Sequence, residues 1–141
     1  MRAVASFESF DGVVIAYYTW GADDPARPPV VLHHGFAVNA NLNWVMPGVV
    51  DALVAAGRQV YALDARGHGE SGKPYDPASY GERAMSSDLR LLARRGRIGT
   101  FYGLRRTAER RLRRLLTSPF NRFAACSGAL LHRVPRRLRA S

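Results

Sequence analysis

Two short segments of the chain combine histidine and glycine, residue types that occur both in sites of proton transfer and in tight turns. His33-His34-Gly35-Phe36 ends one apolar run, and Arg66-Gly67-His68-Gly69-Glu70-Ser71 follows another. A histidine can move a proton near neutral pH, and a glycine lets the backbone turn sharply enough to aim its N–H groups at a negative charge. The simpler interpretation of each segment is a tight turn after a strand. For His33 and His34 we favour structural roles over that of a general base.

Two serines resemble nucleophiles but lack the required surroundings. A nucleophile of the G-x-S-x-G type has a glycine two residues before it and another two residues after it. In Gly69-Glu70-Ser71-Gly72-Lys73 a lysine stands where the second glycine belongs, and Ser127 has Ala125 two residues before it. We therefore predict that neither serine is a nucleophile.

The same glycine-rich segment imitates a phosphate-binding loop. Residues 67–73 match G-x-x-x-x-G-K, but the next residue is Pro74, which has no hydroxyl to place on Mg²⁺. Cys126 is the only cysteine, so an internal disulfide is excluded. A single thiol without a paired histidine motif is more often incidental than catalytic. We expect no cofactor and no metal.

Four strands are predicted in the first half of the chain. Residues 4–9 and 13–19 form two of them, joined at Asp11-Gly12, a dipeptide that favours a two-residue hairpin turn. Residues 30–34 and 59–63 are continuous apolar runs, which are typical of strands buried on both faces of a parallel sheet.

Two helices are predicted between and after the buried strands. The first is expected to open at Pro47 and to stop at Gly57, and the second is expected to follow a cap at Ser79. The order is thus a hairpin followed by β-α-β-α units, which predicts an α/β protein with a largely parallel sheet. This alternation stops near Ala93.

Four features of the sequence, taken in order, resemble the α/β-hydrolase superfamily. They are the hairpin Phe10-Asp11-Gly12 with Ile15-Ala16-Tyr17, the run from Val30 to Phe36, Trp44 ahead of a helix, and the segment from Leu63 to Ser71. Each feature alone is weak, but their order and spacing together are specific. The resemblance covers residues 4–93 and implies an incomplete α/β-hydrolase sheet.

The resemblance implies a role for the first histidine–glycine segment. In the family, an oxyanion forms as a bond is cleaved, and one of the backbone N–H groups that bind it comes from the loop after the third strand. By resemblance, His34-Gly35-Phe36 is that loop and the N–H of Phe36 is the donor. Trp44 is expected in the core or the pocket wall, and Asp64 is expected to anchor the neighbouring loop by hydrogen bonds. The implied activity is hydrolysis of an ester, amide, epoxide or related bond in a small-molecule substrate.

The nucleophile that this activity needs is missing from the sequence. In the family a fifth strand leads into the nucleophile elbow, and residues 99–106 (GTFYGLRR) occupy that place here. No G-x-S-x-G occurs anywhere, and neither does a comparable elbow with Asp or Cys. After residue 93 the only acid is Glu109 and the only histidine is His132. We therefore expect this chain to be inactive as given, because nucleophile, base and acid act as a unit.

Charge divides the chain into residues 1–93 and an Arg-rich tail, residues 94–141. The first part carries seven Lys and Arg against ten Asp and Glu, whereas the tail carries fourteen Arg against one acid, so the whole net charge of +10 originates in the tail. We favour an out-of-frame continuation, irregular or weakly helical, because the order of the sequence is lost at one point. The alternatives are a solvated tail and a binder of nucleic acid or anionic membranes through residues 104–139, where leucines between 104 and 116 line one face of a basic helix.

Two further expectations concern the surroundings of the protein. Without a fifth strand, residues 30–34 would form an unpaired apolar edge, which favours aggregation and poor solubility. The chain has no run of 18 apolar residues and no secretory signal at its start, so we expect a cytoplasmic protein that binds a small molecule rather than nucleic acid or a membrane.

Overall fold

The computed structural model describes residues 3–96, 98, 102–105 and 123–125. The strands in this part of the chain are β1 (Ala3–Glu8), β2 (Val14–Trp20), β3 (Val30–His33), β4 (Val60–Leu63), β5 (Tyr102–Arg105) and β6 (Phe123–Ala125). The helices are α1 (Val49–Ala55) and α2 (Glu82–Arg95), with a π-helical segment at Asn41–Val45 and a 3-10 turn at Pro77–Ser79. No helix within the described ranges is long and apolar enough to cross a membrane.

The strands form one sheet in the order β1-β2-β4-β3-β5-β6. The pairs β1–β2 and β2–β4 are antiparallel, and the other three pairs are parallel. Every residue of β3 and β4 is buried, as expected for strands covered on both faces. His33 lies opposite Leu63, so the two histidine–glycine segments leave the sheet side by side at one edge.

Each face of the sheet has its own apolar core. One core contains Phe7, Ile15, Val31, Tyr61 and Leu63 together with Leu89 and Leu92 from α2. The other contains Tyr18, Val30, Leu32, Val60 and Ala62 together with Ala40, Trp44 and Val50. Trp44, which was expected in the core or the pocket wall, is therefore a core residue. Its indole N–H has no acceptor among the described residues, so apolar packing holds the ring.

The β1–β2 hairpin has a longer turn than the sequence suggested. The N–H of Ser9 donates to the carbonyl of Val13 at 2.8 Å, which closes a turn of three residues instead of two. A two-residue turn of the expected type needs positive φ at both central positions. Of Asp11 and Gly12, only Gly12 has it, at 82°.

The predicted stop of α1 is confirmed, whereas its predicted start is wrong. Gly57 has a φ of 72°, and its N–H donates to Val54 while that of Arg58 donates to Leu53. This pair of hydrogen bonds is a Schellman motif, which satisfies the last carbonyls of a helix. The helix begins at Val49 rather than Pro47, after Gly48 in a left-handed conformation.

The expected cap of α2 is also wrong. Ser79 ends the 3-10 turn, and α2 begins at Glu82 after Gly81, with no side chain capping its first turn. Ser79 contributes its backbone instead, because its carbonyl accepts a hydrogen bond from Arg66 at 2.5 Å. A local sequence pattern cannot show that this distant side chain needs the carbonyl.

The sheet continues beyond the point at which the sequence alternation stops. Residues Tyr102–Arg105 form β5, which pairs in parallel with β3 from Val30 to His33. The expectation that β3 is an unpaired edge is therefore wrong. Leu104 lies in this strand and not in a helix, and the rest of the proposed basic helix lies outside the described residues.

A buried arginine fixes the loop after β4. The side chain of Arg66 has no exposed surface. Its guanidinium donates to both carboxylate oxygens of Asp88 on α2, at 2.9 and 2.8 Å, and to Asp11 in the hairpin turn at 2.6 Å. The hydrogen bonds to Asp88, followed by those to Asp11, raise the pKa of Arg66, while burial opposes them. Since a buried charge is tolerated only when it is paired, the loop cannot separate from the hairpin and α2 without a large cost.

We predict that Asp88→Asn destabilises the protein by about 3 kcal/mol, because it leaves a buried guanidinium short of one negative charge. Asp51→Asn is the matched control, since Asp51 is an exposed carboxylate on α1 and its loss should cost about 0.5 kcal/mol or less. Urea unfolding monitored by circular dichroism measures both. Equal stabilities of the two variants would show that Arg66 does not depend on Asp88.

Candidate functional site

The candidate site lies where β3 and β4 end, and a buried carboxylate joins its parts. Asp64 directly follows β4 and is only 2% exposed. It accepts hydrogen bonds from the hydroxyl of Tyr18 at 2.8 Å, the N–H of Ala40 at 2.8 Å and the N–H of Glu70 at 2.9 Å. Asp64 therefore anchors the neighbouring loop, as expected from its position, and it also holds the start of the π-helical segment.

Ser71 is used for structure. Its buried hydroxyl donates to the carbonyl of Asp64 at 2.6 Å and accepts from the N–H of Ala16 at 2.8 Å. Both capacities of the hydroxyl are thus occupied within the sheet edge, which agrees with the prediction that Ser71 is not a nucleophile. Gly69 is required nearby, because a Cβ at this position would overlap the carboxylate of Asp64.

His34 bridges the two loops through both of its ring nitrogens. Its Nε2 accepts from the N–H of Ala65 at 2.8 Å, so in the neutral ring Nδ1 carries the proton and donates to the carbonyl of Gly35 at 2.7 Å. Burial lowers the pKa of His34, in agreement with a neutral ring. His33 is buried as well, and its Nδ1 lies 2.9 Å from the carbonyl of His34. These contacts are those of structural histidines.

In the loop after β3, one backbone N–H is held by a side chain and the next one is left without an acceptor in the described part of the chain. The N–H of Gly35 donates to Oδ1 of Asn43 at 3.0 Å. No described residue accepts from the N–H of Phe36, and Phe36 is 92% exposed. Ala37 follows with a φ of 58°, a left-handed conformation that no other non-glycine residue in the described ranges adopts. Such strain persists only where the surroundings enforce it.

The sequence did not reveal two residues that shape this loop. Asn43 is buried in the π-helical segment and holds Gly35, and Ala37 carries the positive φ. The available signal was Asn43 itself, a polar residue directly before Trp44 and ahead of an apolar helix. A buried amide needs a hydrogen-bond partner, and the nearest backbone with free N–H groups is the glycine loop.

Several candidate residues lie outside the described part of the chain. These are Glu109, Cys126, Ser127 and His132. Within the described part, the ring of His68 packs edge-on against those of His34 and Phe36, with distances between ring centroids of 5.1 and 6.4 Å. In that same part, no three His, Cys, Asp or Glu side chains are close enough to hold a metal ion.

Comparison with known proteins assigns the fold to a family. The family described as the alpha/beta hydrolase fold matches residues 28–104, more than half of the 141 residues. The chain belongs to this family. The match runs from just before β3 into β5 and so passes residue 93, the last residue covered by the resemblance of the sequence motifs.

Similar proteins extend well beyond the length of this chain. A monoacylglycerol lipase of Mycolicibacterium smegmatis is 45% identical over 71 residues, which are 50% of this chain and 24% of the lipase. The crystal structure of epoxide hydrolase A from Mycobacterium thermoresistibile has a TM-score of 0.73 at 26% identity, covering 89% of this chain and 39% of that one. An alpha/beta hydrolase from Novosphingobium aromaticivorans has a TM-score of 0.69 at 24% identity, covering 88% and 42%. The alpha/beta hydrolase chain thus spans about a quarter of the lipase and about two fifths of these two structures.

We predict that the free energy of unfolding of this chain decreases as the pH falls below about 6.5, the ordinary pKa of histidine. Burial lowers the pKa of His34 in the folded state, so the unfolded chain binds the proton more readily. Stability from the neutral ring is therefore complete above that pH and is lost below it, until folded His34 is protonated as well. His34→Gln should flatten the dependence, while His68→Gln, which retains His34, should keep its sign. If the free energy of unfolding of His34→Gln has the same pH dependence as that of the wild type, His34 is not its source.

Proposed function

We propose that residues 3–93 form the oxyanion-binding front part of a hydrolase that cleaves an ester, amide, epoxide or related bond in a small molecule. The observation that carries this proposal is the unused N–H of Phe36 at the carboxyl end of β3. Its neighbour Gly35 has its own N–H engaged by Asn43 at 3.0 Å, so of these two consecutive donors only that of Phe36 is left for a ligand. In sheets of this type, ligands bind beyond the carboxyl ends of the parallel strands.

The chemistry of such a donor is electrostatic. When a nucleophile adds to a carbonyl carbon, the carbonyl oxygen takes up negative charge, and a fixed N–H stabilises that charge without reorganising. Removing one donor of this kind typically lowers kcat by about two to three orders of magnitude. The names of the relatives, a monoacylglycerol lipase and an epoxide hydrolase, favour ester and epoxide bonds among the candidates.

We infer that this chain alone is not a complete catalyst. In the family the nucleophile elbow directly follows the fifth strand. Because β5 ends at Arg105, the elbow would begin there, but the sequence continues Arg106-Thr107-Ala108-Glu109-Arg110 without a glycine. The family match to residue 104 and the pairing of β5 support a departure from the family pattern at about Arg106 instead of Ala93.

We predict that the coding DNA that follows Arg105, translated in one of the other two frames, gives a G-x-S-x-G or an equivalent elbow. The protein made from that frame should hydrolyse a short-chain p-nitrophenyl ester, whereas the present chain should not exceed the uncatalysed rate. Both frames lacking an elbow would exclude the frame change. Turnover by the present chain that is lost in Phe36→Pro, which removes the N–H, but kept in Phe36→Ala would show that it is already a catalyst.

A second candidate function rests on the concentration of fourteen arginines in residues 94–141. A segment of this charge can bind phosphate backbones or anionic membranes through counterion release. Binding of the full chain to duplex DNA or anionic vesicles should then weaken steeply with salt and disappear when residues 106–141 are deleted. Retention of binding after the deletion, which leaves β5 in place, would exclude the tail as the binder.

A further inference from the structure

We propose that Asn43 is a positioning residue that fixes the direction of the Phe36 N–H. This inference rests on the proposed function, since the direction matters only if that N–H meets an oxyanion. Asn43 lies on a different element from the donor, in the π-helical segment Asn41–Val45, and it reaches the loop with its side-chain oxygen, 3.0 Å from the nitrogen of Gly35.

The geometry of two consecutive peptide units carries the argument. A trans peptide unit is planar, so its C=O and N–H point in opposite directions and are oriented together. In the unit between His34 and Gly35, the carbonyl lies 2.9 Å from Nδ1 of His33 and the N–H donates to Asn43. In the unit between Gly35 and Phe36, Nδ1 of His34 donates to the carbonyl at 2.7 Å. Both ends of the first unit are thus held, while in the second only the N–H of Phe36 is left for a ligand.

Asn43 is the member of this arrangement that ties the loop to the rest of the fold. Glycine has more backbone freedom than any other residue, so Gly35 would not hold its N–H in place by itself. Asn43 is 4% exposed, and its backbone N–H donates to the carbonyl of Asn39 at 3.1 Å. Ala40, the residue after Asn39, donates its backbone N–H to the carboxylate of Asp64 at 2.8 Å. The support for Gly35 therefore leads back to the buried carboxylate at the end of β4.

The conformation of Ala37 gives independent support. An alanine with a φ of 58° is strained relative to its usual conformations, and the strain is retained next to the donor. The peptide unit before Gly35–Phe36 is thus held at both its C=O and its N–H, and Ala37 after it has a left-handed conformation that is usually adopted by glycine. The unit is preorganised, which is what stabilisation of a developing charge requires.

The test is the orientation of the Phe36 N–H bond, measured by residual dipolar couplings on the ¹⁵N-labelled full chain. In Asn43→Ala we expect this bond to change direction relative to the amides of β4, and the Gly35 amide to exchange with solvent about tenfold faster, as befits one lost hydrogen bond. Asn43→Asp keeps an acceptor oxygen and should preserve both properties. Asn41→Ala removes an exposed side chain of the same segment and should change neither.

A merely structural role of Asn43 would lower the protection of all amides and leave the Phe36 bond direction unaltered in the folded state. The proposal is overturned if Asn43→Ala, with the Ala62 amide still protected, keeps the wild-type couplings at Phe36. If Asn43→Ala does not fold, the test uses Asn43→Asp. Residual dipolar couplings at Phe36 that differ from the wild type in folded Asn43→Asp would also overturn the proposal. These outcomes do not depend on ester turnover or on the reading frame, so failure of the proposed function is recognised separately.

Discussion

The ion pairs of Arg66 are the interaction on which the rest of this structure depends. A guanidinium with no exposed surface cannot be stable unless anions surround it, and the two that do so come from the hairpin turn, Asp11, and from α2, Asp88. The three residues are far apart in sequence. Their pairing therefore fixes where α2 crosses the sheet and where the loop after β4 lies, and apolar packing alone, being non-directional, would specify neither position as closely.

From this fixed loop, a series of hydrogen bonds reaches the candidate oxyanion site. The loop carries Asp64 at its start, and Asp64 holds the N–H of Ala40 at 2.8 Å. Ala40 leads into the π-helical segment, from which Asn43 holds Gly35. Short π-helical stretches are found frequently at functional sites, and here the stretch places a buried amide against the glycine loop. The site is thus built from backbone groups whose directions are set by side chains on other elements.

The sequence was sufficient for the elements whose signals are local. The apolar runs at β3 and β4, the positive φ of Gly12 and the stop at Gly57 all follow from residue type and spacing. What it could not show were roles assigned by distant partners. Ser79 looked like a helix cap because serine commonly is one, yet its carbonyl serves Arg66. Asn43 was recognisable only as a polar residue ahead of an apolar helix, and its burial against Gly35 became visible only in the fold. Strand β5 was missed for a related reason, since a four-residue strand that ends in an arginine is recognised by its partner β3 and not by its own composition.

The placement of β5 changes the physical meaning of the charge boundary in the chain. Parallel pairing with β3 satisfies backbone groups that would otherwise lie at a sheet edge. These hydrogen bonds are made by the backbone, so they do not depend on the residue types that follow the strand. A sheet can therefore be extended by a segment whose composition has already become basic, and composition alone places the boundary too early. By the same argument, the loop that carries the Phe36 N–H can be fully formed in a chain whose sequence lacks a nucleophile elbow. The hydrogen bonds that hold this loop, from Asn43 and through His34, are all made among residues that precede β5.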